Sequence, residues 1–196
     1  MTTNELLIAE LEAQTAILQQ TVAECGRTVS EIAELIIACF RRGNKVLLCG
    51  NGGSAADAQH VAAEFINRFR FDRPALPAIA LTTDSSILTC IGNDSSFDFV
   101  FSRQVEALAQ PGDILVGIST SGSSVNVLNA LVAARSKGAT TIGFTGTKGS
   151  EGMGAKCDLC LVIPSTDTAR IQQAHEFAWH VICGTTEERL FNPSGQ

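Results

Sequence analysis

The sequence predicts a doubly wound α/β fold, a parallel sheet of about five strands with helices on both faces and two leading helices. Three observations carry the prediction. Short continuous apolar runs at residues 46–49, 77–81, 113–118, 140–144 and 159–163 alternate with stretches of helical periodicity. Unbroken apolar strands of this kind are buried on both faces, which is the habit of parallel sheets. Two of the runs end in loops of glycine and small polar residues, at 50–54 and 119–124.

The elements follow in order. Residues 4–25 repeat apolar side chains at helical spacing, with Leu7, Leu11, Leu18 and Val22 in one stripe and Ile8 and Ile17 widening it. A second helix is expected at 29–42, carrying Ile32, Leu35, Ile36 and Cys39, with Gly43 as its stop. Both precede any strand, so their stripes must cover a sheet face or another subunit. The first strand, 46–49, leads through Gly50-Asn51-Gly52-Gly53-Ser54 into a helix at 55–69. The second strand lies at 77–81, with short helical stretches through Ile91 and from 97 to 109. Pro111-Gly112 turns into the third strand, the serine loop follows, and a helix at 125–137 stops at Gly138. A strand at 140–144, a glycine-rich loop at 146–154, a strand at 159–163 and a final helix at 167–190 complete a single domain over 1–191, and residues 192–196 read as a disordered tail.

Composition narrows the function. A chain of 196 residues with 45% hydrophobic and 17% charged residues builds one well-formed core. A net charge of −6 argues against nucleic acid as the partner, and no membrane-length apolar run is present. Seven cysteines, an odd count scattered through apolar segments with no signal peptide ahead of them, point to a reducing cytoplasm. Cys157 and Cys160 have CxxC spacing but no second ligand pair, so they read as structural thiols.

In open α/β sheets ligands sit at the carboxyl ends of the strands, where both small-residue loops fall. Ser119-Thr120-Ser121-Gly122-Ser123-Ser124 offers hydroxyls, free N–H groups and a helix start, which suits a phosphate; an ordinary cap by serine is the alternative. Gly50 to Ala55 formally fits GxGxxA, yet the next strand ends in Thr82-Thr83-Asp84, too far on for a ribose-binding acid. The same loop can bring its backbone close to a sugar phosphate. His60 and Glu64 are spaced i, i+4 and share a helix face, where they could hold a metal, act as an acid–base pair or be merely solvated. On the last helix His175 and His180 lie about 140° apart, so one of them is structural, and Gln172 approaches the region of His180 only from the side. Asn93-Asp94 reads as a turn that could also bind a polyol.

Taken together, these motifs resemble the phosphoheptose isomerases, sugar isomerase (SIS) domain proteins of flavodoxin-like topology. The resemblance runs over the whole chain through Cys49 to Ser54, His60 with Glu64, Asn67 to Arg70, Arg73-Pro74, Gly92 to Asp94, Gly117 to Gly122, and Arg170 to Gln172 with His175 and His180. It implies conversion of sedoheptulose 7-phosphate to an aldoheptose 7-phosphate for heptose and lipopolysaccharide-precursor synthesis. It also implies that Asn51, Gly52, Gly53, Asn93, Asp94 and Gln172 contact the sugar phosphate and that Ser119, Thr120, Ser121 and Ser124 hold its phosphate. Glu64, which also touches substrate, and His180 would be the catalytic pair. His60, Glu64, Gln172 and His180 would be the ligands of one zinc per subunit, with no nucleotide cofactor. The family's members are homotetramers whose sites draw on more than one subunit, so residues 1–42 become oligomerisation helices. Residues 54–60 and 74–81 are also similar to a paralogous group of tetramers that bind the bacterial replication initiator. That group lacks the carboxylate and the final histidine, both present here as Glu64 and His180. A sugar-phosphate sensor is the third class the resemblance leaves.

Overall fold

A computed structural model describes residues 1–191; the expected tail at 192–196 lies outside the described residues. Five parallel strands, β1 (Val46–Gly50), β2 (Ala78–Ala80), β3 (Ile114–Ile118), β4 (Thr140–Gly146) and β5 (Leu159–Ile163), form one sheet in the order β2-β1-β3-β4-β5. The helices are α1 (Thr3–Arg41), α2 (Gly53–Ile66), α3 (Ser85–Asp94), α4 (Ser102–Leu108), α5 (Val125–Ser136) and α6 (Thr168–Phe191). Strand side chains alternate between two cores. Val46, Leu48, Val116 and Phe144 face α1, α2 and α6, whereas Leu47, Cys49 and Leu115 face α4 and α5.

The expectation of two leading helices is corrected. Residues 3–41 form one helix of 39 residues, about 58 Å long. Gly26, where the pattern suggested a break, has open space around it and does not interrupt the helix. A helix tolerates one glycine at a cost of about 1 kcal/mol, which tertiary packing of the neighbouring turns offsets. Thr2 and Glu5 close a capping box at the start, and Gly43 at φ +76° ends the helix as expected. Only the C-terminal half is seated on the sheet, through Ile32, Ala33, Ile36 and Phe40.

The strand order places the topological switch between β1 and β3. Gly50 and Ile118, their last residues, are register partners, so the two small-residue loops leave the sheet side by side. At the other end Asp113 binds β1 to β3, accepting from Lys45 Nζ at 2.6 Å and from the Lys45 and Gln110 N–H groups.

Candidate active site

The serine loop begins where Ser119 N–H donates to the Phe144 carbonyl of β4. Gly122 stands at φ +67°, and a β-carbon there would fall on the backbone of Gly149, so only glycine lets these loops meet. Ser124 occupies the cap position of α5 but its side chain makes no capping bond; its Oγ pairs with Ser119 Oγ at 2.9 Å instead. Ser121 joins through Ser119 Oγ at 3.4 Å and Ser123 Oγ at 2.8 Å. The N–H groups of Thr120, Ser121, Ser124 and Val125 have no backbone acceptor among the described residues. Hydroxyls that solvate one another beside N–H groups without backbone acceptors at a helix start have the chemistry to receive an anion.

Across the switch, Asn51 is locked by a residue that sequence reasoning missed. Its amide exchanges two 2.9 Å hydrogen bonds with the buried Asn126 amide, whose Oδ1 also accepts from Val127 N–H. Asn51 thus joins the two loops, and a β-carbon at the neighbouring Gly52 would meet open space. A β-carbon at Gly53 would fall on the Gln172 amide, so Gln172 of α6 lies against the start of α2. Asp84 caps α3 through Ile87 N–H, which commits the acid the dinucleotide reading would need.

The third component lies between α2 and α6. Trp179 stacks on Phe144 at 4.5 Å and fixes the roll of α6, turning Gln172, Glu176 and His180, each four residues apart, toward α2. His60 Nε2 lies 3.1 Å from Glu64 Oε1 and 3.4 Å from His180 Nε2. Glu176 Oε2 lies 3.6 Å from His60 Nδ1 and 3.7 Å from His180 Nε2. Ligand atoms of His60, Glu176 and His180 all fall within 4.8 Å of one another. Two imidazoles so close, flanked by carboxylates, can share a proton, and they are also the donors a divalent metal of borderline softness selects. Beneath them Asp57 is buried with Oδ2 unpartnered. Burial first, then the neighbouring Glu176 carboxylate, pushes its pKa up to about 7, against the pull of His60. Glu176 and Asp57 were not among the expected site residues. Both sit one helical turn from a predicted residue, and i, i+4 spacing was the signal that could have found Glu176.

Other expectations resolve differently. Asn93 and Asp94 are not a turn between elements but the last residues of α3, exposed, with Asn93 donating to Asp94 and Asp94 accepting from the Cys90 thiol. They make no hydrogen bond to another predicted site residue among the described ones. His175 is the structural histidine, fully buried, with Nε2 3.4 Å from the Thr145 carbonyl. Cys157 and Cys160 are free thiols, and the Cys157 thiol donates to the Met153 carbonyl.

Comparison with known proteins fixes the lineage. Residues 11–146 match the SIS domain family model. The phosphoheptose isomerase of Roseiflexus sp. (strain RS-1) is 54% identical over 94% of this chain and 93% of its own. The chain belongs to the phosphoheptose isomerase family. The solved phosphoheptose isomerase of Neisseria gonorrhoeae is similar at a TM-score of 0.89 and 42% identity over 95% of this chain and all of that one, 100%. That of Francisella tularensis gives 0.91 and 34% over 96% and 100%. The fold class and the five-stranded sheet expected of a phosphoheptose isomerase are those observed.

Proposed function

We infer that this chain is an aldose–ketose isomerase that converts sedoheptulose 7-phosphate to D-glycero-D-manno-heptose 7-phosphate through an enediol. The observation that carries the reading is the convergence of Glu64 and His180 on one nitrogen of His60, at 3.1 and 3.4 Å, on the helix that leaves β1 at the strand end next to the one that opens the serine loop. Glu64 takes a proton from C1 of the ketose while His180 protonates the C2 oxygen, which gives the enediol. Glu64 then returns its proton to C2 as His180 accepts the proton of the C1 hydroxyl, leaving the aldehyde. Ser119, Thr120, Ser121 and Ser124 hold the phosphate, and Asn51, Gly52, Gly53 and Gln172 line the sugar path. Binding at the phosphate end orients the reacting carbons at no cost to the chemical step. Asn93 and Asp94 are assigned to contact with the sugar phosphate, as the family resemblance implies.

Zinc is the metal assigned to this site, one ion per subunit. His60, Glu64, Gln172 and His180 would hold it, and Glu176 stands within reach of both imidazoles. When bound, such an ion polarises the carbonyl and enediolate oxygens. We assign a homotetramer, supported by the exposed apolar stripe of α1, and a cytoplasmic setting, supported by the free cysteines. No helix among the described residues is long and apolar enough to cross a membrane.

Incubation with sedoheptulose 7-phosphate, following aldose formation, tests the reading. Glu64→Gln and His180→Gln should each lower kcat on the order of 10²- to 10⁴-fold with the fold intact. Chelation should abolish turnover and zinc restore it. A wild-type protein inactive with and without zinc, and binding a replication initiator tightly, would return the chain to the binding-protein class.

A further inference from the structure

Between α2 and β2 the chain makes an excursion that the reaction itself does not use, and a buried ion pair organises it. The side chains of Arg73 and Glu187 are 2% and 1% exposed, with Arg73 Nε 3.2 Å from Glu187 Oε1. The other arms of the guanidinium donate to the carbonyls of Phe65 at 2.6 Å, Glu64 at 2.7 Å and Pro74 at 3.0 Å. Two of these are carbonyls in the last turn of α2, where a cation complements the negative helix end. Glu187 in turn accepts the N–H groups of Phe69 at 2.9 Å and Arg70 at 2.7 Å. The residue before Pro74 is confined to extended backbone, which limits the directions Arg73 can take.

Each tie ends beside the chemistry. The carbonyl that Arg73 grips at 2.7 Å belongs to Glu64 itself. The segment that Glu187 grips seats the Phe69 ring on the His180 imidazole, centroids 5.5 Å apart and planes 20° from parallel. Phe69 also lies over Gly184, so α6 presents His180, Gly184 and Glu187 along one face to this loop. α2 and α6, which carry the two halves of the site, are thereby joined through one fully hydrogen-bonded charge pair. Such pairs add little stability over an apolar replacement, so a positional role is what distinguishes them.

We propose that Arg73 and Glu187 are positioning residues, a buried clamp that sets the Glu64 carboxylate and the His180 imidazole relative to one another. The proposal rests on the reading of those two groups as the reacting pair. Glu187→Gln removes the charge and keeps the shape. The double variant Arg73→Met with Glu187→Met removes the pair while keeping buried volume.

Both variants are compared with wild type for kcat and KM in zinc-loaded protein, and for melting temperature and the NMR resonances of the three histidines in metal-free protein. A misplacement near 1 Å costs about 100-fold in rate, so kcat should fall roughly 10- to 100-fold, with KM within about twofold because the serine loop is untouched. The His180 ring resonances should move toward those of an unstacked imidazole while His175 stays in place. A double variant that melts like wild type yet keeps the kcat loss separates position from stability. Wild-type kcat and an unmoved His180 resonance in either folded variant would overturn the clamp. An inactive wild type would count against the isomerase reading alone, and the NMR comparison would then decide the clamp by itself.

Discussion

His175 shows how one side chain can be chemically silent and still set a pH limit. It is 0% exposed, edge-on to Phe144 at 5.4 Å, with Nε2 toward the Thr145 carbonyl and Nδ1 unpartnered. Burial pushes its pKa from 6.5 down to about 4, and the bond to Thr145 only partly opposes this. Between those values the unfolded chain takes up a proton that the folded one refuses, so stability is full above pH 6.5 and declines as pH falls toward 4. The loss is worth about 3 kcal/mol at 1.36 kcal/mol per pH unit. In metal-free protein, His175→Gln should therefore flatten the fall of melting temperature between pH 6.5 and 4; curves parallel to wild type would remove His175 as the cause. The division of labour between His175 and His180 was legible, because five residues on a helix turn two side chains to different faces. Asn126 and Asp57 were not, because nothing in their spacing says which neighbour packing will bring.

Among the elements, β1 and β3 matter most, since the loops that leave their ends side by side are the ones proposed to hold the substrate. Their register is fixed from the opposite end by Asp113. Burial pushes its pKa up, but the Lys45 ammonium and the N–H groups of Lys45 and Gln110, with the Asn44 amide, more than reverse this and hold it below the usual carboxylate range. Asp113→Asn leaves Lys45 without its counter-charge. Loss of one member of a buried pair costs ~3–5 kcal/mol, and the partial exposure of Lys45 reduces this to about 2–3 kcal/mol. The urea midpoint should fall accordingly with an unchanged m-value, whereas kcat of the folded fraction should hold; an unshifted midpoint would show that register is set elsewhere. The strands were readable to within about two residues because each is an apolar run between glycine, proline or small polar residues. α1 was misread for a matching reason. Its periodic stripe continues through Gly26, and glycine is a breaker only where packing or a left-handed φ makes it one.

At the scale of the whole molecule, α1 is longer than its own sheet can use. Its first half leaves Leu7 63% and Leu11 68% exposed, and farther along Val22 stands beside exposed Phe177 and Val181 of α6. Among the described residues the arm is tied back to α6 by Arg170, which reaches the Glu10 carboxylate at 2.9 Å and its carbonyl at 3.4 Å, and by Gln14 to the Arg170 carbonyl at 3.4 Å, while Ile17 and Leu18 lie against the core. A run of leucines held this far from the core is stabilised when another copy covers it. Arg170 stands just ahead of Gln172 on α6, so covering the arm also steadies the helix that carries His180. Leu7→Glu with Leu11→Glu places like charges where the copies would meet. In sedimentation wild type should run as the proposed tetramer and the variant as smaller species, while its circular dichroism retains the helix content of the folded domain. kcat/KM for sedoheptulose 7-phosphate should fall at least about tenfold, a transition-state loss near 1.4 kcal/mol. A wild type that sediments as a monomer would end the assembly reading. A dissociated variant with full activity would mean that Glu64, His180 and the serine loop of a single chain suffice, and that α1 serves assembly alone.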